Sequence, residues 1–234
     1  MAKDFTFRTA TITNADGADV VVHDVDYSAR CVADTQVLFR NLQDKLIEQI
    51  DEATAVFGCV AWLTNRPILD ALTKKRAVGI VVQKEDFLRP DSGGWKLNKQ
   101  HEAYARLPGF DRYSLHQTAS YDYATDSSSP SIRCVGAHNL GKSSAFPRMH
   151  NKFLVFCKNA ESTDGAGPWY DPYAVWTGSF NLTYNATNSL ENAVLIRDSI
   201  IAKAFLDEFG LIFGLSEPVN WKSSWSAPEH RIGS

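Results

Sequence analysis

The sequence predicts an α/β fold, a sheet of buried strands with helices packed against it. Residues 55–61 are a short, continuous apolar run and 77–83, apolar as far as Val82, read as a second buried strand, the kind of segments that fill the centre of a sheet. Helix-spaced leucines precede the first run, and a second helical stretch lies between the two, giving a helix–strand–helix–strand rhythm. Near the C-terminus, Ile201, Phe205, Phe209, Ile212 and Phe213 mark one more amphipathic helix.

Taken in order, residues 4–12 and 19–25 alternate or carry β-branched side chains around Asp16-Gly17, which reads as two strands and a turn. Asp34 or Thr35 then opens a helix bearing Leu38, Leu42, Leu46 and Ile50. The run 55–61 is a buried strand with Trp62 at its end. Thr64 or Asn65, followed by Pro67, opens a second helix that reaches Lys75. The run 77–83 is the next strand and ends at Lys84. Residues 96–106 read as a helix stopped by Pro108-Gly109, 113–116 as a short strand, and 118–130 as a mobile loop rich in Ser, Asp and Tyr. Residues 131–136 return to strand, and a Gly/Ser connection at 141–144 leads to a strand over 149–156. Residues 158–171, with Gly165, Gly167 and Pro168, read as a polar surface excursion. Residues 173–177 and 192–197 are strands, a helical turn starts at Asn181, and Asp198 or Ser199 caps the last helix. The organisation expected is one domain over residues 1–215 and a tail over 216–234, either packed on the body or loose.

The 234 residues suffice for one domain with a large core. A net charge of −3 excludes a polycation, so a nucleic-acid partner needs a local basic site. Residues 127–160 contain no Asp or Glu but carry Arg133, Lys142, Arg148, Lys152 and Lys158. Four cysteines, at 31, 59, 134 and 157, lack metal-ligand spacing and are too sparse for a disulfide framework. No signal-peptide-like stretch opens the sequence and no apolar run is long enough to span a membrane, which fits a cytoplasmic protein.

The chemistry concentrates in residues 149–191. Read as a strand, the segment places His150 and Lys152 on one face, since residues two apart share a face. Gly178-Ser179-Phe180-Asn181 and then Glu191-Asn192 follow at short intervals. An imidazole, an ammonium, a hydroxyl and an amide supply a nucleophile or base, a positive charge and neutral donors for phosphate oxygens. Alone, each residue is ordinary: a surface pair, a turn, a helix cap, a solvated carboxylate. Their ordered set carries the meaning.

That ordered set, His150-Asn151-Lys152, Gly178-Ser179-Phe180-Asn181 and Glu191-Asn192 before an apolar strand, resembles the phospholipase D superfamily, in the GSxN form common among its nuclease-like members. The resemblance extends over most of the chain and implies a mixed sheet flanked by helices on both faces, with one motif per chain. One position departs: five residues after Lys152, where the family motif has Asp, stands Cys157.

The resemblance implies metal-independent cleavage of a phosphodiester without a cofactor. His150 would form a phosphohistidine, Lys152, Ser179 and Asn181 would bind phosphate oxygens, and Glu191 would orient His150. With one motif per chain, it also implies a homodimer that brings two copies of His150 together. The other histidines, at 23, 101, 116, 138 and 230, lie in no comparable pattern. Trp62 and Lys84 end two central strands, where ligands of open α/β sheets bind, so Trp62 is a candidate to stack on a base and Lys84 to meet a phosphate; Arg148 joins them as a substrate-binding candidate. A nuclease acting on DNA or RNA is the leading expectation. A phospholipase or phosphatidyltransferase would need an apolar rim, for which the Trp-bearing segment 221–225 is the candidate. A non-catalytic binding protein on the same fold is the third, supported by Cys157.

Overall fold

The computed structural model describes residues 11–13, 19–21, 29–31, 34–88, 95–115, 127–139, 141, 146–160 and 169–222. Among these, a nine-stranded mixed sheet forms the centre. In chain order, β1 (Thr11–Thr13) and β2 (Asp19–Val21) form a separate antiparallel pair. The sheet itself takes β3 (Ala29–Cys31), β4 (Thr35–Leu38), β5 (Ala55–Val60), β6 (Ala77–Gln83), β9 (Ile132–Val135), β10 (Lys152–Ala160), β11 (Trp169–Gly178), β12 (Ala193–Ile196) and β13 (Glu217–Pro218). A small pair, β7 (Phe110–Asp111) and β8 (Ser128–Ser129), stands apart. The order across the sheet is β13-β9-β6-β5-β10-β11-β12-β4-β3. Strands β5, β6 and β9 run parallel, and the other neighbours pair antiparallel.

Helices cover both faces. On one lie α1 (Leu42–Glu52), α2 (Arg66–Leu72) and α3 (Trp95–Ala105). Leu46, Ile50, Leu69, Leu72 and Tyr104 pack there on Val56, Val78, Ile80, Leu154, Phe156 and Trp176. On the other lies α4 (Ser199–Gly214), whose Ala202, Leu206, Phe209 and Phe213 pack on Phe57, Val81, Phe153, Val155 and Val175. The alternation of strand residues between the faces is the period of two that a twice-covered sheet requires. The helix starts carry the expected chemistry: Asn65 Oδ1 accepts from Ile68 N at 3.2 Å, with Pro67 in the first turn, and Asp198 Oδ1 accepts from Ile201 N at 2.8 Å.

Several expectations are corrected. The first helix begins at Leu42, not at residue 34 or 35, because residues 35–38 pair with β12 and β3. Leu38 satisfies the leucine spacing, yet it is buried from a strand. Residues 112–114 form a 3-10 turn capped by Asp111, not a strand. The strand expected over 149–156 runs from Lys152 to Ala160, and residues 149–151 precede it. The polar excursion is shorter than expected, since residues 158–160 pair with 169–171 to extend the hairpin. Residues 161–168, the loop at 118–126 and the connection at 142–145 lie outside the described residues. Of the two alternatives expected for the tail, residues 217–221 take the packed one, with 217–218 paired with β9 and Trp221 buried, while residues 223–234 lie outside the described residues.

Candidate active site

One edge of the sheet gathers the chain's polar chemistry. The C-terminal end of β5, the start of β10, the end of β11 and the start of β12 all meet there: Lys152 pairs with Val60, and Gly178 pairs with Ala193. Gly178 is required at that crossing, because a Cβ on it would lie 2.3 Å from Asn192 O.

His150 lies outside the ladder but is held on both sides. Met149 N donates to Gln83 Oε1 at 2.8 Å, and Ala61 N donates to Asn151 O at 3.0 Å. Lys152 Nζ donates to the carbonyl of His150 at 2.9 Å. The indole of Trp62 meets the His150 imidazole edge-to-face at 5.9 Å, and Trp62 Nε1 donates to Glu85 Oε1 at 3.3 Å, which fixes the indole's rotation. Burial, then the charges of Lys152 and Arg148, hold the His150 pKa below its ordinary 6.5. The imidazole is therefore neutral at neutral pH and able to act as a nucleophile. Burial also lowers the Lys152 ammonium pKa, and the charge of Glu191 acts against that.

Ser179 and Glu191 form a second unit. Ser179 Oγ donates to Glu191 Oε2 at 2.5 Å and accepts from Asn192 N at 3.0 Å, while Ser179 N donates to Asn192 O at 3.1 Å. Within one chain, the Glu191 carboxylate is thus engaged by Ser179, and no hydrogen bond joins it to His150. Asn181 Oδ1 is buried with no hydrogen-bond partner, an arrangement that costs about 1–3 kcal/mol unless a ligand supplies a donor. A cleft of about 450 Å³ opens beside it, lined by Trp62, Thr64, Asn181, Thr183, Tyr184 and Glu191 among others.

The remaining candidates separate. Arg148 is half-buried, close enough for its charge to act on His150, and its Nε donates to Phe146 O at 3.3 Å. Lys84 is not brought to the site. Its side chain has no exposed surface, pairs with Glu217 at 2.6 Å and sits 4.6 Å from the Trp221 ring centre, so it cannot meet a phosphate. The acid-free stretch likewise contributes less than its sequence implies. Arg133 is buried and bonded to Ser216, and Lys158 is bonded to Glu52 O at the far end of β10. Lys142 lies outside the described residues, which leaves Arg148 and Lys152 as the basic residues of 127–160 described at this edge. His138 is buried and paired with Asp86 at 2.6 Å; His23, His116 and His230 lie outside the described residues.

Cys157 sits five residues along β10 from Lys152, about 17 Å at strand rise. It is buried on the α4 face with Val155 and Phe153, and burial, then the charge of Asp171, pushes its thiol pKa far up. A side chain there fills core and does not reach His150. Sequence reasoning missed Gln83, Glu85, Thr64 and Tyr184. Tyr184, three residues beyond Asn181 in the turn expected to begin there, carried the only available signal.

Residues 46–212 match the family model described as cardiolipin synthase, PLD-like domain. The chain belongs to the phospholipase D superfamily. This phospholipase D-like chain is 32% identical over 202 residues to uncharacterized protein L381 of Acanthamoeba polyphaga mimivirus, covering 79% of this chain and 67% of that protein. NucT from Helicobacter pylori shares the fold, with a TM-score of 0.50 at 12% identity, over 79% of this chain and 98% of NucT. The phospholipase D family member Nuc from Salmonella typhimurium is 20% identical, with a TM-score of 0.48, over 78% of this chain and 95% of Nuc. The mixed sheet with helices on both faces agrees with the fold expected from the motif.

Proposed function

We propose that this phospholipase D-like chain is a phosphodiesterase that cleaves nucleic acid through a phosphohistidine, working as a homodimer. The observation that carries the reading is the convergence of His150, Lys152, Ser179, Asn181 and Glu191 at one sheet edge, with a neutral, exposed imidazole beside an ammonium. A nitrogen of His150 attacks phosphorus as the bond to the leaving oxygen breaks. Lys152 and the Asn181 amide stabilise the charge growing on the non-bridging oxygens. Ser179 joins them once its hydroxyl turns from Glu191 toward the phosphate. The leaving oxygen takes a proton from the second copy's His150 in the fraction of dimers where that imidazole is protonated, and the imidazole so neutralised takes the proton of the water that cleaves the N–P bond. Glu191 orients the imidazole in the assembled dimer and holds Ser179 in the single chain. The exposure of His150 at a sheet edge favours approach of a second copy.

Nucleic acid is preferred over lipid on a specific observation. The rim expected of a lipid enzyme rested on the 221–225 segment, of which Trp221 is buried and residues 223–225 lie outside the described residues. A non-catalytic role rested on Cys157, which is remote from the site.

The test incubates the chain with single- and double-stranded DNA, RNA and phospholipid vesicles, with and without EDTA, beside His150→Ala. Cleavage of nucleic acid in EDTA that vanishes in the variant is expected. Cleavage surviving His150→Ala, or requiring metal, overturns the mechanism; a strictly monomeric active protein by light scattering overturns the dimer.

A further inference from the structure

We propose that the cleft between Trp62 and Tyr184 is a nucleobase subsite beside the reacting phosphate, so that the chain acts on unpaired strands in preference to duplex. The inference rests on the nucleic-acid phosphodiesterase reading and deepens it. The cleft's volume of about 450 Å³ lies within the usual range of small-ligand sites and is ample for one nucleoside. It adjoins the phosphate-binding candidates directly, because Asn181 and Glu191 are part of its lining.

The lining chemistry distinguishes between occupants. Among the described residues neither lysine nor arginine lines the cleft, so they do not build it for a second phosphate. Thr64, Thr183, Asn185 and Ser189 present hydrogen-bonding groups that an acyl chain would leave unsatisfied. Two aromatics among hydroxyls, amides and the one carboxylate of Glu191 match a base, whose faces stack and whose edges hydrogen-bond. Trp62 is held in orientation by Glu85 and His150. Tyr184 is 67% exposed, and among the described residues no aromatic ring contacts it, which leaves its face open to a ligand. Asn181 Oδ1, buried and without a partner, offers an acceptor that a base N–H or a sugar hydroxyl satisfies. A base within a duplex is stacked and paired, and it must leave both arrangements before it can enter such a cleft.

The test uses three substrates of matched length: a single-stranded oligonucleotide, its duplex, and an oligomer with abasic sugars at every other position. Cleavage is measured for wild type, Tyr184→Ala and Tyr184→Phe. Binding of a fluorescein-labelled strand is followed by anisotropy in the His150→Ala background, with and without Tyr184→Ala. At 67% exposure, Tyr184 can be truncated without loss of core. Single strands are expected to be cleaved about tenfold or more faster than duplex and abasic oligomer, with Tyr184→Ala erasing the advantage through KM and Tyr184→Phe keeping it. Equal cleavage of all three substrates, or a single-strand advantage untouched by Tyr184→Ala, overturns the subsite and leaves the nuclease reading intact. Anisotropy showing Tyr184-dependent binding without cleavage by wild type keeps the subsite and overturns the catalytic reading. Cleavage of phospholipid alone, with no binding of the strand, overturns both.

Discussion

Ser179 gives its one hydroxyl proton to Glu191, at 2.5 Å, while its oxygen accepts from the backbone of Asn192. The loop after β11 is thereby tied to the residues entering β12, and the carboxylate is held close enough to act on the Lys152 ammonium.

Ser179→Ala removes this tie. The variant is expected to lose about 1–2 kcal/mol of stability, as for a part-buried charge-assisted bond, and about 100-fold in kcat. Urea denaturation and steady-state kinetics read the two effects. Full stability with full activity would show that the tie serves neither purpose.

Glu191→Gln keeps an acceptor for Ser179 but removes the charge that raises the Lys152 pKa. Lys152 then loses its proton at lower pH, which NMR titration of the Lys152 side chain is expected to read as a lowered pKa. An unmoved lysine titration would place the charge effect elsewhere.

The acid limb follows His150. The attacking imidazole must be neutral, and its pKa lies below 6.5. Activity is therefore expected to persist as pH falls through 6.5 and to decline only below it. Arg148→Ala removes one of the charges, after burial and Lys152, that depress this value, so the limb should shift upward. An acid limb centred above 6.5 in wild type would contradict the assignment.

Much of the fold was legible in the sequence because it is written locally. The runs behind β5 and β6 are apolar at every position but Gln83, and Asn65 and Asp198 cap the helices their positions announce. The failures lie where distant partners decide. Residues 35–38 are a strand because β12, more than 150 residues later, needs a neighbour. Lys84 is buried because Glu217 lies 133 residues on. The site's ordered motif was readable. The positions of Gln83 and Glu85 beside it were not, since each acts through a fold-dependent contact with His150's neighbours.

Lys84 and Glu217 form a buried ion pair, and breaking one side strands a charge in the core. Glu217→Gln is expected to cost about 3–5 kcal/mol, whereas Lys84→Met combined with Glu217→Leu should cost far less. Denaturant unfolding of the single and double variants tests the contrast. A single variant losing under about 1 kcal/mol would refute it.

Cys157 is core, so restoring the family's carboxylate should harm this chain. Cys157→Asp is expected to destabilise by about 3 kcal/mol or more without raising activity, and Cys157→Ala to leave activity unchanged. A more active, equally stable Cys157→Asp protein would show that the position reaches the site.

The pairing of β13 with β9 also dictates an order of events during synthesis. Every other strand of the central sheet has been made by the time residue 196 emerges, yet β9 still lacks one neighbour and Lys84 its counter-charge. A ribosome-held chain is therefore a sheet with an open flank and a solvent-seeking ammonium at its margin. That flank can close only after residues 217–221 leave the exit tunnel, so the nascent sheet is more exposed to aggregation before their release than after it.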